Sequence, residues 1–137
     1  MQVNPYLIFE GRCEEALEFY KKAVGAEVKF LHRFKDSPEP PAPGAVAPGW
    51  ENKIMHATFS IGQSTLHASD GRGQGKAKYE GFSLSLTVAT PAEADRYFAA
   101  LVDRGQATMP LSKTFFSPRF GMLTDRFGVA WMVYVAP

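Results

Sequence analysis

The side chains best suited to chemistry in this chain are few and unevenly spread. Three histidines occur, His32, His56 and His67, with one cysteine, Cys13. His56 lies in the alternating run Met55-His56-Ala57-Thr58-Phe59-Ser60-Ile61, and His67 in a second run, Ser64-Thr65-Leu66-His67-Ala68-Ser69. Strand alternation puts Met55, Ala57, Phe59 and Ile61 on one face, against a helix, and His56, Thr58 and Ser60 on the other. Two imidazoles facing the same way on neighbouring strands can hydrogen-bond a ligand, exchange a proton, or join a third donor in holding a metal. His32 reads as an edge or surface residue.

Other signals are weaker. Gly71-Arg72-Gly73-Gln74-Gly75-Lys76 superficially resembles a phosphate loop, but its spacing is wrong, no Ser or Thr follows Lys76, and no helix follows. Cys13 opens a helix, where a thiolate gains some stability, yet no partner base accompanies it. Arg119 follows a proline and opens a strand; its guanidinium suits either an anionic ligand or a surface acid. No Ser-His-Asp arrangement with a supporting local motif is present.

These residues must be positioned by something, and the chain supplies the same elements twice. Tyr6-Leu7-Ile8-Phe9 reads as a buried strand. Ala16, Phe19, Tyr20, Ala23 and Val24 then form an apolar stripe at helical spacing, with acids early, lysines late and Gly25 to end it. Phe82 to Val88 alternates as a strand, Thr90-Pro91-Ala92-Glu93 has the form of a helix start, and Ala94, Tyr97, Phe98, Leu101 and Val102 repeat the stripe before Gly105. Glu15-Ala16 with Phe19-Tyr20 matches Glu93-Ala94 with Tyr97-Phe98 at a constant offset of 78 residues. Three strands are expected after each helix: Glu27 to Phe34, Ile54 to Ile61 and Ser64 to Ser69, then Gln106 to Met109 with Thr114 to Phe116, Phe120 to Thr124, and Val129 to Val135. Gly62-Gln63 and Asp125-Arg126-Phe127-Gly128 suit hairpin turns. The expected fold is α+β, a single domain over 1–137 with one β-α-β-β-β module at 1–70, a linker at 71–80 and a second module at 81–137. Asp36 to Trp50 carries five of the ten prolines and reads as a surface loop long enough to act as a lid.

Composition narrows the function classes. At 137 residues, with 45% hydrophobic and 13% aromatic content, the chain can bury a core without metal or disulfide. A net charge of +1 and the lack of a basic run argue against nucleic acid as a partner. No 18-residue apolar stretch or signal-peptide pattern occurs, so no membrane partner is expected. One cysteine excludes an internal disulfide, and a cytoplasmic setting is the expectation.

The sequence resembles the vicinal oxygen chelate superfamily of glyoxalases, bleomycin-resistance proteins and dioxygenases, and within it the PhnB-like branch. The likeness rests on Pro5-Tyr6-Leu7 through Glu15-Ala16 to Phe19-Tyr20 and Gly25-Ala26-Glu27. It continues in Met55-His56-Ala57, His67-Ala68-Ser69-Asp70, Arg119-Phe120-Gly121, and Asp125-Arg126-Phe127-Gly128-Val129 to Trp131-Met132. It implies cupped mixed sheets with helices on their outer faces, and a homodimer in which modules pair. Metal-using members take one ligand from the first and one from the last strand of each module. Those positions fall at Pro5 or Tyr6, His67, Phe82 or Ser83, and Met132, where only His67 is a good ligand, so no metal or other cofactor is expected. If a metal does bind, His67 and His56 are its candidates, with Glu80 and Asp125 the nearest carboxylates.

The ligand pocket implied by the cup and the alternation comprises Tyr6, Trp50, His56, Thr58, His67, Ser83, Ser85, Arg119, Met132 and Tyr134. Serines and threonines at alternate strand positions also suit a plain solvent-facing sheet, and Trp50 suits either a lid or a loop anchor. Two functional readings follow. The chain binds a small organic ligand without a catalytic metal, or it is a metal-dependent lyase, isomerase or dioxygenase of the same superfamily using His67 and His56. An older methyltransferase label attached to some relatives finds no Gly-rich strand-to-helix turn here to hold a methyl donor.

Overall fold

Each half of the chain builds a four-stranded sheet around one helix, as seen in a computed structural model describing residues 1–39 and 41–137. The chain divides into two compact units, Met1–Ala77 and Lys78–Pro137. The first contains β1 (Tyr6–Ile8), α1 (Cys13–Val24), β2 (Glu27–Arg33), β3 (Ile54–Ile61) and β4 (Ser64–Ser69), with a short 3-10 turn at Phe34–Asp36. The second contains β5 (Leu84–Val88), α2 (Pro91–Val102), β6 (Gln106–Ser112), β7 (Phe120–Thr124) and β8 (Ala130–Val135). Both are β-α-β-β-β modules of α+β class. Cys13 to Pro91 and Val24 to Val102 are each separated by 78 residues, so the two helices occupy equivalent positions in the repeat.

The sheet orders are β1-β4-β3-β2 and β5-β8-β7-β6, with a parallel pair at one side and antiparallel pairs across the rest. This equivalence follows from the connections. A strand-helix-strand excursion returns the chain to the far edge, and two hairpins then carry it back toward the first strand.

In the first unit the helix stripe packs on one sheet face. Ala16, Leu17, Tyr20, Ala23 and Val24 are buried with Leu7, Phe9, Ala57, Phe59, Leu66 and Ala68. Tyr20 stacks on Phe59 at 6.4 Å between ring centroids, and Phe9 leans on Tyr20 at 6.2 Å. Leu17 goes deeper than Phe19, which is only half-buried. Gly25, at φ 69°, closes α1 with its N–H on the Lys21 carbonyl, and Ala26 N–H reaches Tyr20.

Four expectations are corrected. Strand alternation fails at Met55, because a register shift lies where Arg33 pairs with Ile54 just after His32 pairs with His56. Ile54, Ala57 and Phe59 therefore face the core, while Met55 turns outward. Gly105 does not end α2; Asp103 does, and Arg104 takes the left-handed turn at φ 61°. Gly105 is required for a different reason, since a Cβ there would collide with the Thr124 carbonyl oxygen. β6 runs unbroken through Pro110, which its edge position permits because a proline there need not donate to a neighbour. Finally, β5 begins at Leu84 rather than Phe82.

Candidate functional site

The sheet of the first unit leaves one face uncovered by its own helix, and that face gathers the histidines. Cross-strand register places Tyr6 of β1 beside His67 of β4, His67 beside Thr58 of β3, and Thr58 beside Phe30 of β2. One row of side chains thus crosses all four strands. In the next row His56 pairs with His32.

Contacts within this cluster are close. His56 Nε2 lies 3.1 Å from His67 Nδ1, and Thr58 Oγ1 lies 3.2 Å from the same Nδ1. When Nδ1 of His67 accepts from these partners, its Nε2–H remains a donor for something else. The two imidazoles stack with 5.2 Å between centroids, and Tyr6 stacks over both at 5.7 Å. Phe30 closes the other side, 6.0 Å from His56. Tyr6 and Phe30 are exposed aromatics, whereas the histidines are half-buried.

The electrostatics match this packing. Burial, then the neighbouring His67 and His32, hold the His56 imidazole below the usual histidine range, favouring its neutral form. Burial likewise lifts the Tyr6 phenol above the usual tyrosine range; Cys13 adds to the rise and Ser69 opposes it. The Cys13 thiol is pushed well up by burial, with Asp70 and Glu14 adding to the effect, and so remains protonated and inert.

Tyr6 also forms part of the wall of a hollow of about 720 Å³ in the same unit. Its other walls include Ile8, Glu10, Phe34, Met55 and Ser69, with Pro41, Ala45 and Val46 from the proline-rich loop and Gly71, Arg72, Gln74 and Gly75 after β4. Glu10, Met55 and Arg72 went unrecognised as wall residues in the sequence. The alternation rule hid Met55, and the glycine-rich composition around Arg72 reads as a linker. A segment bonded into the unit by Ala47 N–H to the Arg72 carbonyl, and by Gln74 to the Gly44 carbonyl, is better seen as part of the wall.

The other expected pocket residues are described each within its own unit. Trp50 anchors its loop: the indole N–H donates to the Gly71 carbonyl at 2.8 Å, and its ring packs against Gly11 and Gly73. Arg119 is committed to Asp95 of α2 at 2.8 Å, on the helix side of the second sheet. Ser85 and Met132 are register partners, as are Thr87 and Tyr134, on the face of the second sheet away from α2. Tyr134 there meets Phe116 and Phe120, and Ser83 sits half-buried just before β5. Among the described residues that face carries no histidine or acid.

The donor set does not fit a catalytic metal. Two imidazole nitrogens are too few to hold a divalent ion against water, and a third protein donor is the usual minimum. Among the described residues no group of three or more His, Cys, Asp or Glu is arranged to hold one. Asp125 is spent within its own turn, accepting from Phe127 N–H, Val129 N–H and the Trp131 indole N–H.

The family model described as 3-demethylubiquinone-9 3-methyltransferase matches residues 1–134. The chain belongs to this PhnB-like family. Protein YjdN of Escherichia coli K12 is 36% identical over 142 residues, covering 98% of this chain and 95% of that protein. The crystal structure of PA1353 from Pseudomonas aeruginosa is 44% identical with a TM-score of 0.86, over 99% of this chain and 98% of that one. A structure from Bacillus cereus, described as a putative 3-demethylubiquinone-9 3-methyltransferase, PhnB protein, is 30% identical with a TM-score of 0.81, over 99% and 100%. The fold is that of the glyoxalase and bleomycin-resistance superfamily. A domain so described from Frankia, 13% identical, superposes with a TM-score of 0.69 over 99% of this chain and 95% of that one. The methyltransferase description is the family's name. In this PhnB-like chain the turn from β1 to α1 holds one glycine, and the turn from β5 to α2 holds none.

Proposed function

We propose that this PhnB-like protein binds a small organic ligand on the open face of its first sheet, without a catalytic metal. The observation that carries the reading is the Tyr6 ring stacked over a hydrogen-bonded His56–His67 pair at the edge of a hollow of about 720 Å³. A hydrogen-bonded imidazole pair offers a directed donor and acceptor, and the surrounding aromatic rings offer apolar area; small-molecule sites combine these two features.

The test is metal analysis and native mass spectrometry on protein purified without chelator. The expected result is no stoichiometric metal, with any retained organic mass lost in His67→Ala. A stoichiometric metal that disappears in His67→Ala would overturn the reading.

A second reading, an enzyme using the same pair as acid and base, is favoured by one observation. The depressed proton affinity of His56 beside His67 is a form of tuning found at catalytic sites. Turnover of a bound compound, abolished by His67→Ala with the fold intact, separates it from simple binding.

A homodimer belongs to the leading reading. Phe82 and Phe116 are half-exposed and Phe115 fully exposed in the second unit, apolar area that a partner copy would cover. Sedimentation velocity giving a concentration-independent monomer would remove that part. A cytoplasmic setting fits the free Cys13, and among the described residues no helix is long and apolar enough to cross a membrane.

A further inference from the structure

Two opposite charges line the hollow of the first unit, and among the described residues neither takes part in an ion pair. Glu10 follows β1 in the left-handed region at φ 47°, a strained conformation for a residue with a side chain. Its carboxylate accepts the Gly73 N–H at 3.2 Å and lies against Gly71, where a Cβ would come within 2.8 Å of Glu10 Oε1. The carboxylate is therefore held in place by the backbone around it. Arg72 stands between those two glycines and lines the same hollow with an exposed side chain. Neither Glu10 nor Arg72 takes part in any ion pair found among the described residues. Most of the remaining wall is apolar, with Ile8, Phe34 and Met55 prominent.

A purely anionic ligand that paired with Arg72 would also meet the Glu10 carboxylate, and a purely cationic one on Glu10 would meet Arg72. Only a ligand bearing both charges satisfies the two without leaving a like-charge contact. We propose that the hollow takes a small zwitterion, with an ammonium group on Glu10, an acidic group on Arg72, and an apolar body against Ile8, Phe34 and Met55. This rests on the reading that the open side of the first unit holds a small organic ligand, and it names the class of that ligand.

The test uses the full chain and three probes that share a phenylethyl body: phenylalanine, 2-phenylethylamine and 3-phenylpropanoate. Binding is followed by calorimetry and by ligand-observed NMR. Phenylalanine is expected to bind about tenfold more tightly than either singly charged probe, the ratio that one modest ion pair supplies. Glu10→Gln should bring phenylalanine level with 3-phenylpropanoate, and Arg72→Gln should bring it level with 2-phenylethylamine. Equal binding of all three probes to the unmodified protein, or no binding of any, overturns the proposal without recourse to a variant. If the probes bind without charge preference and Tyr6→Ala abolishes binding, the charge assignment falls while the small-ligand reading stands. If phenylalanine keeps its advantage in Tyr6→Ala and His67→Ala alike, the charge assignment stands and the site centred on the histidines falls.

Discussion

The two modules share a plan but start their helices by different means. In the second unit Thr90 accepts the Glu93 N–H at 3.2 Å and Pro91 opens α2, so the helix start is written in four consecutive residues. In the first unit Arg12 provides no side-chain cap. The Cys13 N–H instead donates to Asp70 Oδ1 at 2.7 Å, from a residue 57 positions away. The other oxygen of Asp70 accepts the Ile54 N–H at 2.6 Å, so one buried carboxylate fastens the end of β4 to both α1 and β3. The open faces differ in the same direction. The first sheet carries Tyr6, His56, Thr58 and His67, and the second carries Ser85, Thr87, Met132 and Tyr134. A duplicated scaffold can thus keep its geometry twice while concentrating its chemistry, and a long-range support, in one copy.

That contrast can be broken by mutation. The largest effect is expected from Asp70→Ala, which strands two buried N–H donors; about 3–5 kcal/mol of stability should be lost. Urea unfolding followed through Trp50 fluorescence reports on the first unit, while Trp131 reports on the second. An equal loss in both signals would mean that the two units unfold together.

Gly105→Ala should cost about 1–3 kcal/mol, because the added carbon meets the Thr124 backbone, which cannot swing aside as a side chain would. Gly25→Ala, at the end of α1, meets no atom within 4 Å and pays only for its left-handed φ, about 1 kcal/mol. Thermal melting of the pair ranks them, and the reverse order would show that backbone strain outweighs the collision.

Thr90→Ala removes a local cap at the surface and should cost about 1 kcal/mol, well below Asp70→Ala. Parity between the two would erase the distinction between local and long-range capping.

The smallest effect concerns pH. His56 binds its proton less readily when folded than when unfolded, so the unfolded chain carries more protons just below the ordinary histidine pKa. Stability is therefore full above that value and falls as pH drops toward the folded-state pKa. His56→Gln should flatten the melting temperature across pH 7 to 5, while Thr87→Ala on the second sheet should leave the slope unchanged.

Much of this molecule was legible in the sequence because it depends on near neighbours. Helical stripes at Ala16–Val24 and Ala94–Val102, the capping residues at Thr90, and the hairpin at Gly62 are local patterns, and their repetition at 78 residues announces the duplication. His56 and His67 lay on adjacent predicted strands, so their shared facing followed from period-two alternation and one short turn. Their ring contact and the depression of His56 did not follow, since both depend on side-chain packing.

What escaped has a common physical cause. One extra residue in β3 turns Met55 outward, and nothing in the alternation of its own strand shows the irregular pairing with β2 that permits it. Trp50 and Arg119 took up structural partners, Gly71 and Asp95, because polar groups at a fold's edges pair with whatever the chain brings near. Glu10, Met55 and Arg72 lie far from one another along the chain and become one wall only when β1, β3 and the segment after β4 converge. Sequence alone therefore determined the repeated module, its helices and the strand that each histidine occupies, because period and capping act over a few residues. The tertiary structure alone decided which charges share a hollow and which carboxylate holds α1, because those depend on register, bulges and chain reversals acting together.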